Sequence, residues 1–140
     1  MRKTLVTPKE FIQSGFTSPA DEYAVPDLNL DQFLKRDPEA TYPARMDGTA
    51  MEKAGIPSGS YLLFDRGIDP KNGDIVYVWF NEEKLIRFYE KHGSAITLYG
   101  SSPDVETIRV EGENELTLIG VITWSLKCHA ARMFPQVKSW

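Results

Sequence analysis

The sequence predicts a mainly β fold: a small twisted sheet or partly closed barrel of about seven strands, with one or two short helices and an extended N-terminal arm. Three observations predict it. From Thr41 onward, short runs rich in Val, Ile, Leu, Tyr and Phe recur with turn residues between them. One stretch alone, "NLDQFLKRDP", combines a capping residue with helical apolar spacing. The first 28 residues carry Pro8, Pro19, Pro26 and Gly15, which exclude a long helix there.

Taken in order, residues 1–28 read as the arm, and residues 29–140 as one β domain. Phe11, Ile12, Phe16, Tyr23 and Val25 make the arm too apolar for a solvated tail, so it is expected to dock on a surface. Asn29 caps the short helix, Leu30, Phe33 and Leu34 share one face, and Pro38 stops it. "TYPARM" is a strand leading into the loop "DGTAM". "SYLLFD" follows, then "GDIVYVWF", entered through a turn at Lys71-Asn72-Gly73. "NEEK" turns back into "LIRFYE", the second half of a hairpin. "AITLYG", "ETIRV" and "LTLIGVITWSLK" complete the sheet. In the last run Leu116, Leu118, Gly120, Ile122 and Trp124 are expected on one face. Ile119 and Val121 on the other face imply that both are covered.

Composition narrows the function. At 140 residues and 41% apolar side chains there is enough for one core. A net charge of −4 argues against a surface that coats nucleic acid unaided. Cys128 is the single cysteine, so no intrachain disulfide forms and a reducing compartment is expected. No run reaches the roughly 18 apolar residues of a membrane span, and the N-terminus lacks a signal-peptide core. The chain is expected to be soluble and cytoplasmic. His92 and His129, the two histidines, have no acid or cysteine at ligand spacing, so neither zinc nor histidine-based catalysis is supported. "GIPSGSY" lacks the lysine of a phosphate-binding loop and enters a strand. No cofactor is implied.

The loop "RMDGTAMEKAGIPSGSYLLFDRG" poses the functional question. Small polar residues around Gly48 precede a helical turn and an apolar strand, the way many hydrolases present a nucleophile. The presenting residue here is Ala50, which has no chemistry to offer. "QSGFTSPADEY", "ATYPARMDGTAM", "GIPSGSYLLFDRGI", "NGDIVYVWFNEEKLIR" and "LTLIGVIT", in this order, resemble the LexA/UmuD group of self-cleaving proteins, peptidase family S24. The resemblance covers roughly residues 11–126, and Gly15-Phe16-Thr17-Ser18-Pro19-Ala20 resembles the UmuD branch in particular.

The resemblance implies a serine that attacks the protein's own chain before a glycine, with a lysine as general base. Burial disfavours an ammonium, which lets such a lysine take the serine proton. Carried over without gaps, the scissile-type bond falls at Ser14–Gly15, the nucleophile position at Ala50, and the base position at Arg87. Gly48, Thr49 and Met51 form the surrounding loop. Both catalytic positions depart from the pattern: alanine has no nucleophile, and a guanidinium stays protonated at any usable pH. Thr49 sits one position early in the turn, and Lys84 lies an odd offset from Arg87, so neither is expected to substitute. Arg87 is expected to pair with Asp47 or Glu52. Two explanations fit the loss: a natural pseudo-peptidase kept for binding, favoured because two positions differ, and an engineered Ser-to-Ala exchange.

By the same resemblance the chain would be an accessory protein of the SOS response and translesion synthesis. It would form a homodimer and bind a Y-family DNA polymerase like UmuC, with the RecA filament as a further partner. Residues 1–14 are too few for a helix-turn-helix unit, so no direct sequence-specific DNA binding is expected. The competing reading is a self-cleaving Ser/Lys peptidase met as an inactivated variant.

Overall fold

The computed structural model describes residues 27–111 and 115–135. The chain divides into two compact units, Met1–Leu34 and Lys35–Trp140. In the first, the described part is α1 (Leu30–Leu34). The Asn29 side chain accepts the Gln32 N–H at 3.1 Å, the capping bond the sequence predicts. The helix ends at Leu34, one turn short of Pro38.

The second unit is one open, seven-stranded antiparallel sheet in the order β1-β2-β7-β3-β4-β5-β6. Its strands are β1 (Thr41–Arg45), β2 (Tyr61–Asp65), β3 (Ile75–Phe80), β4 (Glu83–His92), β5 (Ala95–Tyr99), β6 (Ile108–Glu111) and β7 (Leu116–Leu126). The sheet does not close: β1 and β6 are its edges. Pro43, with no N–H to donate, lies in edge strand β1, where a proline is tolerated. β3 and β4 form a hairpin with Phe80 opposite Glu83, and both turn residues, Asn81 and Glu82, have left-handed φ of 51° and 65°. That is the backbone of a two-residue turn whose twist matches the strands.

Side chains alternate across the sheet, and both faces are packed. Val76, Val78, Tyr89, Ile96, Leu98, Val110, Leu116 and Val121 form one cluster. On the other face Leu62 and Ile86 pack with Met46, Met51 and Ile56 from the segment between β1 and β2. A short 3-10 turn (Glu52–Ala54) in that segment keeps the chain compact over the sheet.

β7 is central, paired with β2 on one side and β3 on the other. The strict alternation expected along it is broken twice. Tyr77 pairs Gly120 but Val78 pairs Leu118, leaving Ile119 as an extra residue. Leu63 pairs Trp124 but Phe64 pairs Ile122, leaving Thr123 as another. Val121 is therefore buried while Leu118 and Trp124 are exposed. Gly120 sits between the bulges because a Cβ there would meet the Phe64 ring at 2.8 Å and the Asp65 carbonyl oxygen at 2.9 Å.

Candidate functional site

The loop between β1 and β2 is built by its own backbone. Met46 N–H donates to Ser60 O at 2.8 Å and Gly59 N–H to Met46 O at 2.8 Å, closing the base of the loop. Gly48 turns the chain with φ 85°, a conformation glycine adopts without cost. Beyond it, Met51 is fully buried in the cluster with Met46, Ile56, Leu62 and Ile86, and Ala50 packs against that cluster. Met51 thus anchors the loop, while Gly48 and Thr49 stay exposed above it.

A second anchor comes from far along the chain. Ser101, just after β5, donates its N–H to Ala50 O at 2.8 Å, and its Oγ lies 3.1 Å from the same oxygen. The Lys53 N–H donates to that Oγ at 3.0 Å. Ser101 fixes the peptide that follows Ala50. Nothing in "YGSSPD" beyond turn composition could have pointed to it, because the contact depends on where β5 delivers the chain.

The other wall is β4. Tyr89 directs its N–H to Asp74 O at 2.9 Å and accepts from Gly73 N–H at 2.8 Å, both on the β3 side. Alternation turns the N–H and C=O of Phe88, Ile86 and Lys84 the opposite way. Phe88 meets β5 there, opposite Tyr99, where β5 ends. No described strand pairs with Glu83–Arg87 on that side. A cleft of about 710 Å³ opens against this free edge. Gly48, Thr49, Ala50 and Asp47 line it from the loop, Glu83 to Arg87 from β4, and Val105 from the segment after Ser101.

Ala50 and Arg87 both line this cleft. Ser14 and Gly15 lie outside the described residues. Thr49 and Lys84, expected to face elsewhere, both line the cleft. Both are exposed.

The expected pairing of Arg87 with Asp47 or Glu52 is not found. Arg87 leaves β4 on the face of Leu85 and Tyr89, and its Nη1 donates to the Ile86 carbonyl at 2.8 Å, across the free edge. Its Nε is buried without a hydrogen-bond partner. Burial pulls the guanidinium below its ordinary pKa, and the charge of Glu83 partly opposes this. With no serine or amine at these two positions, the pair can hold and orient a ligand but cannot exchange a proton with it.

The peptidase S24-like family model matches residues 7–123. The chain is 33% identical over 112 residues to protein ImpA of Escherichia coli, covering 79% of this chain and 75% of that one. It is 33% identical over 119 residues to protein MucA of Escherichia coli, covering 84% and 81%. A LexA repressor of Bordetella avium is 28% identical over 89 residues, covering 64% of this chain and 42% of the repressor. The chain belongs to the peptidase S24-like family, as a UmuD-like member of its LexA/UmuD group. Among the described residues no helix is long and apolar enough to cross a membrane.

Proposed function

We propose that this chain is a non-catalytic UmuD-like accessory protein of the SOS response. It acts as a homodimer that binds a Y-family DNA polymerase, with the RecA filament as a further partner. Residues 1–28 form the arm carrying the cleavage-site-like Ser14–Gly15, and residues 29–140 form the domain. Similarity to ImpA and MucA supports the branch. The observation that carries the loss of catalysis is the cleft itself. The two residues at the family's nucleophile and base positions, Ala50 and Arg87, line one cavity and cannot perform either role.

The test is intact mass after incubation at mildly alkaline pH, which favours a neutral lysine. The parent stays whole, and the double variant Ala50→Ser, Arg87→Lys splits between Ser14 and Gly15. A parent that splits overturns the proposal. A second reading, a peptidase using Thr49 and Lys84, rests on their both lining the cleft. In that case the parent splits and Thr49→Ala stops it.

A further inference from the structure

The free edge of β4 is longer than the cleft beside Ala50. A second cavity of about 440 Å³ continues along it toward β6, lined by Phe80, Glu106 and Arg109 among others. Glu83, Leu85 and Arg87 line both cavities. β6 pairs with β5 through Ala95–Leu98, and β5 ends opposite Phe88, so a slot in line with β5 runs beside Glu83–Arg87. Its edge presents the backbone groups of Lys84 and Ile86, the arrangement to which an extended peptide adds as a strand. One of those acceptors, the Ile86 carbonyl, is taken by the Arg87 guanidinium.

Arg87 has no ion-pair partner among the described residues, and its Nε is buried and unpartnered. A half-buried cation in that state is costly, and a carboxylate answers it with two parallel, charge-assisted hydrogen bonds. We infer that the slot takes an extended segment of a partner protein carrying an Asp or Glu side chain. That carboxylate draws the Arg87 guanidinium off the Ile86 carbonyl and so frees the β4 edge for strand pairing.

Arg87 is then both the lock on the edge and the reader of the ligand's charge. The ten residues "FIQSGFTSPA" around Ser14–Gly15 have no acidic residue, so that window does not supply the key; Glu10 and Asp21, which flank it, are the chain's own nearest carboxylates in sequence. This inference rests on the non-catalytic reading of Ala50 and Arg87.

The probes are two fluorescein-labelled, end-capped peptides of alternating Thr and Val, one with a central Glu and one with Gln in its place. A third is residues 11–20 of this chain. Fluorescence anisotropy with the full chain is expected to show the Gln peptide and the 11–20 peptide binding about tenfold or more weaker than the Glu peptide. In Arg87→Met the Glu and Gln peptides bind alike. In Arg87→Lys, which keeps the charge but not the fork, the preference is reduced. Equal binding of the Glu and Gln peptides to the parent overturns the inference. So does a preference that survives Arg87→Met, as does no binding at all. Intact mass of the same samples separates the two readings: loss of residues 1–14 refutes the non-catalytic reading, whatever the peptides do.

Discussion

Two arginines of this domain sit in opposite circumstances. Arg36 forks onto Asp65, its Nε and Nη2 each 2.9 Å from a different carboxylate oxygen. The guanidinium is 53% exposed while Asp65 is fully buried at the end of β2, where it also accepts the Gly67 N–H at 2.7 Å. The Arg36 hydrogen bonds pull the Asp65 carboxyl below its ordinary range; burial opposes this, and the Gly67 N–H adds to it. Arg87 is the reverse: its Nε is buried, no carboxylate among the described residues pairs with it, and its Nη1 donates to a neutral carbonyl. The first arrangement satisfies every oxygen of a buried acid and ties residues 36 and 65 together. The second leaves a cation unsatisfied in the cleft lined by the loop of Ala50. A satisfied pair is explained by the fold; an unsatisfied buried charge calls for a ligand.

Neutralising the first pair has the larger expected effect. Asp65→Asn keeps the shape but removes the charge facing Arg36, and stability at pH 7 falls by about 1–2 kcal/mol, solvent at the half-exposed guanidinium limiting the loss. Urea unfolding measures it, and an unchanged midpoint would make the fork ornamental. The same acid sets a pH dependence. Because its folded pKa is lowered, its contribution is complete above the ordinary aspartate value of about 3.9 and is lost as pH falls through the folded value. The gap between parent and Asp65→Asn therefore narrows in acid below about pH 4; a gap that widens there contradicts the sign. The smallest effect is at the other arginine. Arg87→Met fills the space without the charge, and stability is unchanged or rises by about 1 kcal/mol. A clear loss would mean that Arg87 has a stabilising partner, and the contrast between the two residues would collapse.

Much of the fold could be read in advance because its signals are local. Apolar runs of strand length, the Asn29 cap and the turns before Asp74 and after Phe80 need only near neighbours in the chain. The expectation that Ala50 and Arg87 belong to one site came from a resemblance, which carries positions along a chain, and both residues line one cleft. Less was legible in β7: its bulges at Ile119 and Thr123 arise from pairing two partners at once, and no local pattern announces them. Ser101 clasping Ala50, Arg36 clasping Asp65 and the flank of Glu83–Arg87 that no described strand pairs are likewise invisible in one dimension.

Chain order, strand content and the chemical limits of Ala50 and Arg87 follow from residue identity alone, because a methyl group and a guanidinium carry those limits wherever they are placed. Where β5 stops relative to β4, and hence whether Arg87 meets a strand, a carboxylate or an open slot, was decided only by tertiary packing. Those contacts join residues distant in the chain, and their energies exist only once the sheet has assembled.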